Sequence, residues 1–189
     1  MRTDIIEYLE RDIKEKCESP NNFFGMGGYY HIKAVVKNAV GLAEKYGADI
    51  EIVTIAAWLH DVGSIIDYKN YEEHHLVGAR MAGDLLKSMD YPKEKIELVQ
   101  KCILNHRGSD IRCKCSLEEI CVADADAISH FDSIPSLFYL AYVRRGYSID
   151  DGTNFVVNKL NRSFAKLSDK SKSEYQQKYL SVMNTICDK

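Results

Sequence analysis

A chain of 189 residues with 28% charged side chains and a formal net charge of −3 has no basic excess, which argues against non-specific nucleic-acid binding. No apolar run reaches the roughly 20 residues that span a bilayer, and the amphipathic, acid-rich start "MRTDIIEYLERDIKEKCE" is unlike a secretory leader, so a cytoplasmic protein is expected. The length suits one domain over 1–189 with a single core, and its six cysteines are expected as reduced thiols.

The helical period is the strongest signal along the chain. "TDIIEYLERDIKEKCE" puts Ile5, Ile6, Leu9 and Ile13 on one face, and Ser19-Pro20 stops it before the loop "SPNNFFGMGG". "YYHIKAVVKNAVGLAEKYG" spaces Ile32, Val35, Val36, Ala39, Val40 and Ala43 as a second helix, ended by Gly47. Asp49 is placed to cap a third, "IEIVTIAAWLHD", which is apolar on most sides and therefore central. A loop over 62–70 precedes "YEEHHLVGARMAGDLLKSMD", with Asn70 as its cap and Glu73 three residues on. Pro92 opens "KEKIELVQKCILNH". The capping-box pattern "SLEE" at 116–119 opens "ICVADADAISHF", and further helices fill 134–189. The expected class is all-α, a helical bundle with extra C-terminal helices.

Polar residues fall at the ends of these helices. His31 is expected in the first turn of the second helix. His60 and Asp61 close the third, His74 and His75 open the fourth, and His106 ends the fifth. Asp124 and Asp126 interrupt the apolar run of the sixth. Antiparallel helices with short connections bring such ends together, so one polar pocket can collect them. A buried aspartate is costly unless it is paired or bound to metal. A divalent cation would neutralise the carboxylates and accept imidazole. The mixed nitrogen and oxygen set suits Mn, Fe, Co, Ni or Zn and does not select among them.

Each residue also has a plainer reading. A buried histidine can be a hydrogen-bonded core residue, and either aspartate can cap nearby backbone. His75 points about 100° away from His74, and His130 has no matching partner; both are read as structural. Cys113 and Cys115, with Cys102 and Cys121 nearby, lack the C-x-x-C spacing of a structural zinc site. Cys102 and Cys121 are expected in the core.

The joint pattern of His31, then His60-Asp61, then Asp126, each on a different helix, resembles the HD-domain superfamily of metal-dependent phosphohydrolases. The resemblance covers roughly 29–131, and "LHDVG" is its most specific element. "HIKAVVKNAVGLAEKYG" is similar to the family's first-histidine helix. "ADADAI" is similar to its last-aspartate helix, whose second aspartate is the ligand; this points to Asp126, with Asp124 supporting it. Ala127 stands where several members carry a basic residue, and Ser64 stands where "HDIGK" has a lysine that touches substrate phosphate. "HHLVGA" fits the H-x-x-x-G spacing of members with extra ligands, and "ILNHR" fits the histidine that follows. The resemblance thus implies one metal on His31, His60, Asp61 and Asp126. In two-metal members a second is held by the equivalents of Asp61, His74 and His106; in single-metal members these histidines serve substrate phosphate or move protons. "HRGSD" lacks the GYP element of the cyclic dinucleotide phosphodiesterases.

The activity implied is hydrolysis of a phosphate ester or anhydride, by family habit of a nucleotide, through a metal-activated water. Asp61 would orient that water or accept its proton. His74 or His106 would stabilise developing charge or protonate the leaving oxygen. Lys33, Arg80 and Arg107 are the candidate phosphate contacts. Two other readings stay open. A di-iron oxygenase would show iron and consume oxygen, and a non-catalytic ligand-binding or regulatory domain would have a ligand set that does not assemble.

Overall fold

The third helix organises the molecule. In the computed structural model, which describes residues 1–107 and 116–187, α3 (Ile50–Leu59) buries every residue from Glu51 to Leu59. A helix apolar on all sides is stable only when other helices cover all of them. Here α1 (Thr3–Glu18), α2 (Met26–Tyr46), α6 (Lys93–Asn105) and α7 (Leu117–Asp132) do so. Asp49 caps α3, accepting from the Glu51 and Ile52 amides at 2.9 and 3.2 Å. Gly47, at φ +78°, ends α2 in the left-handed conformation that a side chain resists.

The remaining helices are layered on this centre. α2 and α7 run along each other, and α1 covers α3 with Ile5, Leu9, Ile13 and Cys17. α5 (His74–Ser88) pairs with α6. A short α8 (Ile134–Phe138) and a π-helical turn (Tyr139–Arg144) lead to α9 (Ile149–Lys166), which lies on α7. α10 (Asp169–Cys187) packs on α9 and α7. Among the described residues every regular element is helical, and no helix is long and apolar enough to cross a membrane.

Four boundaries differ from the sequence reading. α2 begins at Met26, so His31 sits in its second turn, not its first. The expected loop over 62–70 contains α4 (Val62–Ile66) and the start of a 3-10 turn (Tyr68–Glu73). α5 begins only at His74 and has no side-chain cap; the Asn70 amide instead donates to the Gly63 carbonyl at 3.2 Å. At α7, Ser116 accepts from the Glu119 amide at 3.2 Å, but Glu119 does not reach back. Its buried carboxylate accepts from Asn105 at 2.6 Å, tying α6 to α7. Cys102 and Cys121 are core residues, as expected. Cys113 and Cys115 lie outside the described residues.

Candidate metal centre

The corner between α3 and α4 builds the site. His60 is still helical, and Asp61 turns the chain at φ −104°, ψ 4°. The Asp61 carbonyl accepts from the Ser64 and Ile65 amides at 3.0 and 3.1 Å, which starts α4 at once. Two buried helices meeting without a spacer leave these side chains no route to bulk solvent except an internal cavity. Gly63 lets a third helix approach: a Cβ there would stand 2.7 Å from the His74 carbonyl oxygen. The start of α5 therefore rests on the corner and presents His74 to Asp61.

The cavity has a volume of about 490 Å³. His31 enters it from α2, His106 from the end of α6 and Asp126 from α7. Hydrogen bonds set which imidazole nitrogen faces inward. The Nδ1–H groups of His60, His74 and His106 donate to the carbonyls of Ala57, Tyr71 and Ile103, three residues earlier, at 2.7, 2.6 and 2.6 Å. His31 does the same through a hydroxyl. Ser129 donates to the Asp126 carbonyl at 2.7 Å, so at 3.0 Å its oxygen accepts from His31 Nδ1. All four rings thus turn Nε2 toward Asp61. This is the usual preparation of metal-binding imidazole, in which the outer nitrogen is held so that the inner one is free.

Asp61 divides the four rings into two pairs. Its Oδ2 is 3.6 Å from His31 Nε2 and 3.4 Å from His60 Nε2. Its Oδ1 is 3.1 Å from His74 Nε2 and 3.8 Å from His106 Nε2. Asp126 adds a carboxylate 3.4 Å from His31 Nε2. The donors fit a cation on two counts. His60 Nε2 is fully buried yet has no hydrogen-bond partner, a cost that a coordinated ion would remove. His74 and His106 point their Nε2 atoms at each other across 3.2 Å, where two lone pairs repel unless a proton or a metal lies between them. Possible ligand atoms lie within 4.8 Å of one another in the sets His31–His60–Asp61 and Asp61–His74–His106.

Electrostatics give the same picture. Burial disfavours charge on His31, but Asp126 and Asp61 overcome it and push the imidazole up to about 9. Burial alone would raise Asp61, but His60, His31 and His74 hold it well below the usual carboxylate range. Asp126 is likewise held down against burial by His31, His130 and Lys166. The carboxylates thus recruit whatever positive charge the pocket offers, and a metal ion would compete with these protons. His106 is pushed down to about 3 by burial and by His60, so it stays a neutral acceptor.

Some sequence candidates lie elsewhere. Asp124 is directed at the corner between α9 and α10, where it accepts from the Ser168 amide at 3.0 Å and from the Ser168 hydroxyl. This is the capping role, not support for Asp126, and the cause is that residues two apart on a helix face different sides. Lys33 is exposed over the Tyr29 ring and Arg80 is exposed; neither lines the cavity. Arg107 reaches the rim, where it is bonded to Glu72 at 2.6 Å. Ser64 lines the cavity but gives its hydroxyl to the Asp61 carbonyl at 3.0 Å.

Two residues beside Asp126 escaped the sequence reading. His130 is not partnerless: its ring lies 4.9 Å from that of His31, and its Nδ1 is 3.2 Å from the Ser163 hydroxyl. His31, Asp126 and His130 form a third set of possible ligand atoms. The available signal was its spacing of four from Asp126, which puts both on one helix face. Lys166 stands 3.9 Å from Asp126 Oδ2. Nothing local marked it, because its position depends on how α9 docks.

Residues 28–130 match the HD domain family. Two curated relatives align over 106 residues, 56% of this chain: an uncharacterized protein of Clostridium beijerinckii at 29% identity and ribonuclease Y of Rubrobacter xylanophilus at 31%. The chain spans 66% and 19% of their respective lengths. Among solved structures, Bacillus subtilis YpgQ superposes with a TM-score of 0.71 at 18% identity, covering 98% of this chain and 93% of that one. YpgQ in complex with ADP superposes with a TM-score of 0.61 at 19% identity, over 93% and 96%. Similarity at this level of identity establishes the shared fold.

Proposed function

The chain belongs to the HD domain family, and from that premise we propose that the cavity around Asp61 is the active centre of a metal-dependent phosphohydrolase. The observation that carries this reading is the convergence of four imidazole Nε2 atoms on the two oxygens of one carboxylate. His31, His60, Asp61 and Asp126 would hold one ion. Asp61, His74 and His106 would hold a second, with Asp61 between the two. A bound divalent ion supplies Lewis acidity toward a phosphoryl oxygen and a water of lowered pKa.

The chain's own residues do the rest. Asp61, kept ionised by its histidines, orients the attacking water and accepts its proton. Where no second ion is held, His74, whose pKa Asp61 raises against burial, faces the reacting group from the α5–α6 side and passes a proton to the leaving oxygen, while the neutral His106 accepts from it and keeps it in place. Helices α2, α3 and α7 wall the centre from bulk water, which strengthens each of these interactions. A nucleotide substrate is supported by the ADP bound to YpgQ and by a cavity of small-molecule size. The assembled ligand set argues against a purely regulatory domain.

Protein purified without chelators should carry one to two equivalents of a divalent transition metal. It should release phosphate or pyrophosphate from members of a nucleotide and phosphomonoester panel with Mn, Co or Mg. Bound metal with no hydrolysis of any member would overturn the reading. Bound iron together with oxygen consumption would assign the centre to oxygenase chemistry instead.

A further inference from the structure

α9 lies outside the residues that match the family, yet one of its faces forms a wall of the cavity. Lys159, Arg162 and Lys166 stand at i, i+3 and i+7, a single stripe of a helix. At 1.5 Å per residue the stripe rises about 10.5 Å. All three side chains line the cavity. Lys166 is the inner one, beside Asp126. Lys159 and Arg162 make no ion pair with any described residue. Phe155, one turn before Lys159 on the same stripe, also lines the cavity, with the Arg145 guanidinium 5.1 Å from its ring centre. Along α9 toward the metal centre the cavity thus meets a ring and then three cations in succession.

Three like charges at this spacing weaken a helix unless an anion lies against them. The carboxylates of the pocket answer only the innermost. A single phosphoryl group at the metal centre also reaches only that end of the row. The charge pattern therefore fits an anion extended along the helix. We propose that α9 is a clamp for a linked phosphate chain, and that it selects anhydrides of two or more phosphates over phosphomonoesters. The organic part of such a substrate would lie toward Phe155. This inference deepens the phosphohydrolase reading and rests on it for the identity of the reaction.

Binding tests the clamp separately from turnover. Titration calorimetry on metal-loaded protein would compare inorganic tripolyphosphate with orthophosphate. The unmodified protein should bind tripolyphosphate at least about tenfold more tightly. Lys159→Gln and Arg162→Gln should each weaken tripolyphosphate about tenfold, the loss typical of one charged hydrogen bond. Metal content and orthophosphate affinity should not change, and Arg162→Lys should restore part of the loss. Both side chains reach solvent, so the variants should fold, and unchanged melting temperatures would verify it. Equal affinity for the two anions, or variants that bind tripolyphosphate normally, would overturn the clamp. Normal discrimination with no hydrolysis of any phosphate would keep the clamp and remove the hydrolase reading. Hydrolysis confined to monoesters, with unaffected variants, would do the reverse.

Discussion

The two ends of α3 both hold acidic groups, Glu51 buried and Asp61 half-buried, and they answer them in opposite ways. At the N-terminal end both carboxylate oxygens of Glu51 have donors. One oxygen accepts from Tyr91 at 2.7 Å and Lys95 at 3.0 Å, and the other from the Arg2 amide at 2.6 Å, with the chain's N-terminal amine 3.4 Å away. At the C-terminal end, His60 Nε2 has no hydrogen-bond partner, and Asp61 faces the Nε2 atoms of His60, His74 and His106, whose Nδ1 protons are given to carbonyls, and of His31, whose Nδ1 is held by Ser129. The first arrangement is complete within the protein and joins the N-terminus, α3 and α6. The second is complete only when something positive enters. Burial of charge does not by itself mark function; buried polarity left open does.

The largest effect should follow from emptying the open end. Asp61→Ala removes the one group that touches all four imidazoles, so metal content should fall to background and turnover by about 10⁴-fold. The circular dichroism spectrum should remain that of the folded helices. Retention of full metal content would mean that the centre does not depend on this carboxylate.

The next contrast repeats the comparison on two neighbouring aspartates. Asp126→Ala should weaken metal binding and activity with little loss of stability, because its carboxylate faces the pocket. Asp124→Ala should leave metal content intact and lower the unfolding free energy by about 1–3 kcal/mol, since Ser168 then loses its acceptor. Chemical denaturation and metal analysis on the same samples separate the two. A reversal of these outcomes would exchange the roles.

The smallest effect belongs to the satisfied end of α3. Burial opposes ionisation of Glu51, but Tyr91, Lys95 and the Arg2 amide push its carboxyl down to about 2 from 4.5. A carboxyl depressed in the folded state stabilises fully above its unfolded value and less as pH falls toward its folded one. The contribution should therefore be present above about pH 5 and disappear toward pH 2. We expect about 2 kcal/mol, less than full linkage because Lys95 stays in contact with water. Glu51→Gln should flatten this part of the pH–stability curve without changing metal content. A variant that is as acid-sensitive as the parent would show that the acid response arises elsewhere.

Much of the molecule could be read before any coordinates. Local periodicity placed α1, α3 and α6 nearly to the residue, because burying one stripe needs a repeat near 3.6 and capping needs Asp49 where it stands. His60 and Asp61 were conspicuous because polar residues closing a fully apolar helix are costly without a partner. Spacing alone could not reveal that α4 begins immediately after Asp61, since that short helix is held by the approach of α5 to Gly63. Nor could it separate Asp124 from Asp126: adjacent letters of one pattern point to different neighbours, Ser168 on one side and His31 on the other. The cationic stripe of α9 was the least legible of all. Lys159, Arg162 and Lys166 look like any solvated helix face in one dimension. They line a cavity only because α9 docks on α7, and long-range packing of that kind is decided by the shape of the whole core.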